Sequence, residues 1–561
     1  MTKSNEQWGS RVGLILAMAG NAVGLGNFLR FPVKAVQNGG GAFIIPYLVC
    51  FLLMGIPLLW IEWSMGRFGG RFGHHSTPFI MARMDPRRSF WKYVGVFGIF
   101  TNIGVAAYYC YIESWTLSYM LHSINRSFAG LNQIQVAEFF NRYVDLSEST
   151  LGLPFESLFF YIVCLGLNTF ILSKGLSGVE KVAKIGMPLL ILFGFFLAIR
   201  GLTLGTSGAT PEVPDASAWA GLNFLWTPQP ESLYNPRVWL EAAGQIFFTL
   251  SVGMGTVHCY ASYLNKRDDI ALNSVSAGFT NEFVEVVLGS SIVIPIAAGY
   301  LGMDWVLQNA GFGMAFQTMP FLFEKWGPVL AVVGGVMWFG LLFFAGITSS
   351  LAMGTPWMGF MHDEFGWSRQ KAAWSFGAIT LLMGLPTVIF FNYGVFDEYD
   401  NWAGTFSLVI FALLEVILFS WVFGIDKGWK ELNTGADIRI PGVYKYVLVY
   451  VTPVLLLFVF AGSVVKPLNN DWQGAFYSLA SGEGWPLDNN SLIRLIGNAG
   501  LKESIELAPA GEREYLEKKL FFTNLARGLL LVLFIFIAFL VRKAYYRNHR
   551  PDSPFEIKDT P

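Results

Sequence analysis

The chain has 561 residues, of which 53% are hydrophobic and only 14% charged, with 38 Lys and Arg against 39 Asp and Glu. Its mean hydropathy is +0.47, and a soluble domain of this length could not cover its surface with so few charges. The apolar residues come in long blocks, such as 158–172, 187–199, 408–421, 447–460 and 529–541. Blocks near ~20 residues read as membrane-spanning helices, about twelve of them in this chain. The strands of a β-barrel would be shorter and would alternate polar with apolar residues, which these blocks do not.

In chain order the predicted spans are 11–36, 41–66, 90–122, 157–173, 180–204, 238–262, 273–301, 328–361, 370–391, 396–423, 443–465 and 520–541. The loop after the second span carries Arg67, Arg71, Arg83, Arg87, Arg88 and Lys92. Later loops on the same side carry Lys174 and Lys181, Lys266 and Arg267, Arg369 and Lys371, then Lys427 and Lys430; the tail adds Arg542, Lys543, Arg547 and Arg550. The intervening short loops are poorer in Lys and Arg, so the positive-inside rule assigns both termini to the cytoplasm and the chain to the cell (inner) membrane.

The expected organisation is a cytoplasmic N-terminus (1–10), a first five-helix repeat (11–204), an exterior loop (205–237) and a second five-helix repeat (238–423). Two further spans (424–541) and a cytoplasmic tail (542–561) follow. Residues 466–519 read as a long polar exterior loop with a short amphipathic helix and a charged stretch from Glu512 to Lys519, to which no chemistry is assigned. Cys50, Cys110, Cys164 and Cys259 fall inside spans without metal or disulfide spacing and read as small buried hydrophobes. The first apolar block is broken by glycines and followed by no small-residue cleavage site, so it is not read as a cleavable signal.

The first span contains Gly20-Asn21-Ala22-Val23-Gly24-Leu25-Gly26-Asn27, and the sixth contains Thr249-Leu250-Ser251-Val252-Gly253-Met254-Gly255-Thr256. Each glycine costs about 1 kcal/mol relative to alanine in a helix. The two segments share a Val-Gly-X-Gly pattern five spans apart, and an odd offset means that they cross the bilayer in opposite directions, as an inverted repeat requires. Paired interruptions of this kind point to a binding site near the bilayer midplane, a rule drawn largely from transporters of this same architecture. Unwinding frees amides and carbonyls that must find partners in lipid. A half-helix N-terminus offers N–H groups to an anion, and freed carbonyls with Asn, Thr and Ser oxygens offer a hard-oxygen cage to a small cation. Close helix packing would also explain Gly20-xxx-Gly24 alone, but not the repeated motif flanked by Asn21, Asn27, Thr249 and Ser251.

Arg30, Glu62, Glu113, Glu241, Glu282, Glu285, Asp400 and Glu415 lie in or at the edges of spans, where ionisable side chains are expensive. Arg30 and Asp400 sit on the exterior side of the first break and could form a gate. Glu113 and Glu241 are equally readable as structural, and Glu415 reads as structural. Ala345-Gly346-Ile347-Thr348-Ser349-Ser350 is a small hydroxylated patch, readable as tight packing with hydroxyls bonded back to the preceding turn.

At these residues the chain resembles the neurotransmitter:sodium symporter family, and closely its prokaryotic leucine-transporter branch. The resemblance is carried by Gly20 to Pro32 (GNAVGLGNFLRFP), Asn38 to Phe43, Pro57 to Gly66 (PLLWIEWSMG), Tyr108 to Leu117, Gly244 to Gly253 (GQIFFTLSVG) and Phe344 to Ser350 (FAGITSS), and runs from about residue 8 to 460. It implies an all-α integral membrane protein of about twelve helices, built as a five-plus-five inverted repeat with unwound first and sixth helices.

It implies two co-transported sodium ions. The first would use Ala22, Asn27, Thr249, Asn281 and the substrate carboxylate; the second would use the Gly20, Val23 and Ala345 carbonyls with Thr348 and Ser349. The substrate pocket would draw on Asn21, Ala22, Gly24, Leu25, Gly26, Val105, Tyr109, Phe248, Thr249, Ser251, Met254, Ser349 and Met353, with Tyr109 on the substrate carboxylate and Phe248 as lid. Glycine at 24, where monoamine carriers of the family have aspartate, implies a substrate that brings its own carboxylate. Val105, Phe248, Met254 and Met353 suit an apolar amino acid, with some breadth from the flexible methionines. Glu285 stands where chloride-dependent relatives have serine, so its carboxylate would substitute for chloride, near Tyr47, Gln245, Thr249 and Asn281, and no chloride is expected. Arg30 and Asp400 would close the outside.

Asp363 would close the inside, but the family's arginine before Trp8 is here Asn5, with Lys3 or Arg11 as substitutes. The expected partners are an amino acid and the lipid bilayer, with no nucleic acid; oligomeric state is not legible. No metal cluster or nucleophile–base pair argues for an enzyme. The competing reading is a binding-only nutrient sensor with the same fold.

Overall fold

The apolar blocks become helices because every backbone N–H and C=O in hydrocarbon needs an internal partner, and a helix supplies it. The computed structural model describes residues 8–146 and 148–548. Among these, nine helices are long and apolar enough to cross a membrane, and the bent pair Arg11–Ala22 and Gly26–Gln37 makes a tenth. The 17-residue helix Glu156–Leu172 and the interrupted pair Pro236–Leu250 and Thr256–Ala261 bring the apolar segments to twelve in chain order. The two interrupted helices are the first and the sixth, each opening a five-helix unit.

The third span, Trp91–Ile124, is the spine: 94% of its apolar window is enclosed by neighbours, against 33% for the eleventh (Val443–Val464) and 28% for the twelfth (Ala510–Arg547). The third packs along the eighth, Pro328–Phe365, and the first half-helix lies against the fifth (Leu176–Leu202), seventh (Ile270–Asn309) and eighth spans. Outward-facing Leu531, Val532, Ile535 and Phe539 on the twelfth span are exposed, as a lipid-facing surface requires. Two π-helical stretches, Phe283–Gly289 and Trp402–Phe406, widen the seventh and tenth spans (the tenth being Val395–Asn433) where they face the breaks.

The exterior segment 466–519 differs from the single short helix expected there. It forms helices Trp472–Ala480, Leu492–Ile496 and Ala499–Leu507. The charged stretch from Glu512 belongs to the last helix, which starts at Ala510. Arg513–Glu517 (3.1 Å) and Lys518–Glu514 (2.8 Å) pair one turn apart, so these charges support a helix rather than a loop. The segment folds over one end of the bundle, where Asn470 Nδ2 donates to Glu241 Oε1 (3.3 Å) and Arg527 Nη1 donates to the Leu495 carbonyl (2.8 Å).

Candidate functional site

The two breaks use glycine for different reasons. In the first span the helix stops at Ala22, Val23 is extended (φ −70°, ψ 96°), and the helix resumes at Gly26 with its axis bent by 47°. Here the glycines give space. A Cβ on Gly24 would lie 2.8 Å from the Tyr109 hydroxyl and 3.0 Å from Ser349 Oγ; on Gly26 it would lie 2.4 Å from the Phe248 ring. In the sixth span the glycines give conformation: Gly253 (φ 73°) and Gly255 (φ 88°) are left-handed, as is Ser251 (φ 53°).

The freed backbone groups are satisfied by side chains of the same span and of others. Gly24 N donates to Asn27 Oδ1 (2.8 Å) and Leu25 N to the Tyr109 hydroxyl (3.0 Å). Gly253 N donates to Glu62 Oε1 (2.6 Å), and Asn102 Nδ2 donates to the Met254 carbonyl (2.5 Å). Ser251 Oγ donates to the Asn21 carbonyl (2.9 Å), tying the breaks together and holding Ser251 in its uncommon conformation.

The expected sodium ligands converge in two sets. Asn27 Nδ2 lies 2.9 Å from Asn281 Oδ1 and 3.3 Å from Thr249 Oγ1, with Asn281 Nδ2 2.9 Å from the same Thr249 oxygen, and Ala22 lines the adjoining cavity. The second set lies across the first half-helix and the eighth span: Ser349 Oγ is 3.2 Å from both the Gly20 and Ala345 carbonyls, and Thr348 Oγ1 is 3.3 Å from the Ala345 carbonyl. A Cβ on Gly20 would meet Thr348, and Val23 turns away from the helix at the same level. Thr348 also bonds back to Phe344 (2.9 Å), so the packing role and the oxygen cluster coexist.

Between the sets is a cavity lined by Ala22, Gly24, Gly26, Val105, Tyr109, Phe248, Thr249, Ser251, Met254, Ser349 and Met353. Asn21 and Leu25 stand at its edge through their backbone groups. Tyr108, Gly404 and Leu408 also line it. The last two come from the tenth span, Gly404 within its π-helical stretch and Leu408 just after it, a widening that has no signature in the sequence.

Glu285 is fully buried on the π-helical stretch of the seventh span. Gln245 Nε2 donates to its Oε1 (2.6 Å), Asn27 Nδ2 to its Oε2 (3.1 Å), and the Thr249 hydroxyl to Oε2. The Tyr47 hydroxyl donates to the neighbouring Glu282 (3.1 Å). The Glu285 carboxylate therefore touches the first oxygen set directly.

Arg30 and Asp400, the residues expected to gate the exterior, do not pair with each other. Arg30 stacks on the Phe248 ring at 4.4 Å, and Asp400 Oδ1 accepts from the Tyr108 hydroxyl (2.6 Å). The two line one cavity of about 260 Å³ without a direct ion pair, because each already has a partner on the cavity wall. Lys34–Glu241 (2.7 Å) joins the exterior halves of the first and sixth spans. Glu113 accepts from Asn168 Nδ2 (3.1 Å), which fastens the third span to the fourth.

At the opposite end Asp363 accepts from the His75 backbone N–H (2.8 Å) and faces its Nδ1 (3.0 Å). Asn5 and Lys3 lie outside the described residues, and Arg11 engages Asn273 Oδ1 (2.9 Å) and Asp437 (3.3 Å) instead. His258, which sequence reasoning passed over, sits fully buried between Glu62 (3.3 Å from Nδ1) and Glu415 (3.4 Å from Nε2). One histidine in an apolar half-helix carries no signal of two distant acids.

The profile of the Sodium:neurotransmitter symporter family matches residues 5–133 and 129–496. An uncharacterized sodium-dependent transporter of Methanocaldococcus jannaschii is 31% identical over 463 residues, covering 80% of this chain and 89% of the relative. Sodium-dependent nutrient amino acid transporter 1 of Drosophila grimshawi is 25% identical over 520 residues, covering 86% of this chain and 80% of its own. Among solved structures, that of MhsT in complex with L-phenylalanine is similar with a TM-score of 0.70 at 28% identity, covering 81% of this chain and 99% of that one. The chain is a sodium-dependent membrane transporter rather than an enzyme, and belongs to the sodium:neurotransmitter symporter family.

Proposed function

We propose that the protein imports a neutral, apolar amino acid together with two sodium ions, by alternating access and without chloride, through the cell membrane with both termini cytoplasmic. The observation that carries this reading is the cavity between the two breaks, bounded by two oxygen clusters and lined by Phe248. Both clusters consist of carbonyl, hydroxyl and amide groups, the donor chemistry a hard cation takes. The Leu25 N–H and the Tyr109 hydroxyl lie at the first break, where a substrate carboxylate can be held and can complete the first ion's shell. Val105, Met254, Met353 and Phe248 leave the other end apolar, and the L-phenylalanine bound by MhsT is in keeping with such a substrate. Glu285 supplies a negative charge beside the first cluster, which removes the need for an anion.

The driving force is sufficient. One charge crossing 100 mV is worth ~2.3 kcal/mol, and a tenfold gradient adds ~1.4 kcal/mol. Two sodium ions thus supply about 7 kcal/mol, enough for a roughly 10⁵-fold gradient of a zwitterion. In proteoliposomes, labelled apolar amino acid should accumulate only under an inward sodium gradient, and replacing chloride by gluconate should leave the rate unchanged. Binding without accumulation would favour a sensor, and loss of uptake in gluconate would refute the role given to Glu285.

A further inference from the structure

The loop after the second span carries two adjacent histidines, and the end of the eighth span carries two adjacent carboxylates. The structure sets them face to face. His74 Nδ1 lies 3.0 Å from Glu364 Oε1, and His75 Nδ1 lies 3.0 Å from Asp363 Oδ2 and 3.2 Å from Oδ1. The His75 backbone N–H donates to the same Asp363 carboxylate (2.8 Å). The carboxylates are nearly enclosed, with side chains 5% and 2% exposed, whereas both imidazoles are 20% exposed and keep contact with water.

His75 has a second contact that gives the pair a mechanical meaning. Its ring stacks on Tyr263, just past the interior half-helix Thr256–Ala261 of the sixth span, with centroids 4.2 Å apart and planes at 18°. Its backbone carbonyl is so close to the eighth span that a Cβ on Gly359 would lie 2.7 Å from it. One side chain therefore joins a loop, the fixed eighth span and a half-helix that follows a break. A small cavity of about 80 Å³ opens at this junction, lined in part by His75, Tyr263, Met358, Asp363 and Arg369.

We propose that His75, clamped between Asp363 and Tyr263, is the positioning residue that keeps the cytoplasmic pathway closed. The proposal rests on the transport reading above and on the assignment of this end of the bundle to the cytoplasm. The interior half of the sixth span cannot swing away from the eighth while the imidazole holds both. The contact is strongest with a protonated ring, since an imidazolium pairs with the carboxylate by charge as well as by hydrogen bond and stacks more firmly on the tyrosine face. The groups facing the ring are Asp363 from the eighth span and Tyr263 from the sixth; Arg369 at the start of the ninth lines the same cavity, and the adjacent His74 is taken by Glu364.

The test uses a cysteine reporter at Met358 in the full chain, reconstituted in liposomes with its interior face accessible. Maleimide labelling is normalised to that of the unfolded protein at the same pH. His75→Ala should raise labelling several-fold, and His75→Arg, which keeps a cation on Asp363 and Tyr263, should return it to the parent level. A sodium-dependent thermal shift in each variant establishes that it is folded. Labelling unchanged by His75→Ala, or labelling that stays raised in His75→Arg, would overturn the clamp. Neither result touches the transport reading, which stands or falls on sodium-driven accumulation by the parent protein.

Discussion

At the scale of single residues, the site depends on side chains that are missing as much as on those present. Gly24 and Gly26 stand so close to Tyr109, Ser349 and Phe248 that no Cβ fits. Gly26→Ala should therefore push the Phe248 ring off its closed position. Overpacking of this kind typically costs ~1–3 kcal/mol, so the apparent KM for substrate should rise about tenfold or more. Sodium binding at the second set, which draws on Gly20, Ala345, Thr348 and Ser349 rather than on neighbours of Gly26 and Phe248, should change less. Uptake kinetics together with a sodium-dependent thermal shift separate the two, and an unaltered KM would count against Phe248 as lid. These positions were legible in the sequence because glycine in a membrane helix is costly wherever nothing requires it. The Gly-X-Gly pairs could not reveal that the first break uses glycine for space and the second for left-handed backbone; that depends on what packs against each.

The elements are joined by polar contacts that the hydrocarbon would otherwise penalise. Glu62 on the second span holds Gly253 N at the second break while facing His258, and His258 faces Glu415 on the tenth span. Removing the imidazole leaves two enclosed carboxylates facing one another. Leaving a buried polar group without its partner costs about 1–3 kcal/mol, whereas replacing both partners with apolar groups is far less costly. His258→Leu should thus lower the thermal midpoint in detergent by many degrees, and His258→Leu with Glu415→Leu should recover most of it. If His258→Leu melts with the parent protein, the histidine is not holding these spans together. Glu415 was readable as structural because it lies deep in an apolar block; its partner was not readable. The charged stretch after Glu512 was misplaced in a loop for the converse reason: its one-turn ion pairs stabilise a helix that hydrophobicity alone does not report.

Across the whole molecule, the two breaks form one unit. Ser251 joins them directly, and the two oxygen clusters draw on the first, sixth, seventh and eighth spans. Substrate and sodium binding should therefore be reciprocally coupled. In sodium, an apolar amino acid at about a hundred times its Kd should stabilise the protein by ~2.7 kcal/mol, seen as a rise in thermal midpoint. With sodium replaced by choline the same amino acid should produce almost no rise. An equal shift in both salts would mean that the substrate site forms without the ions.

The number and places of the spans, the two breaks and the oxygen-bearing residues around them follow from the sequence by itself, because each is a local property. A block of apolar residues must be helical in lipid, and paired glycines flanked by Asn, Thr and Ser at matching places in two such blocks mark where the helix breaks. What only the tertiary structure decided is which polar group meets which. Arg30 took the Phe248 ring rather than Asp400, His258 took two glutamates, and Asp363 took His75, 288 residues away. Such pairings depend on how the helices rotate and pack around the third span, and residues this far apart in the chain leave no trace of one another in composition or spacing.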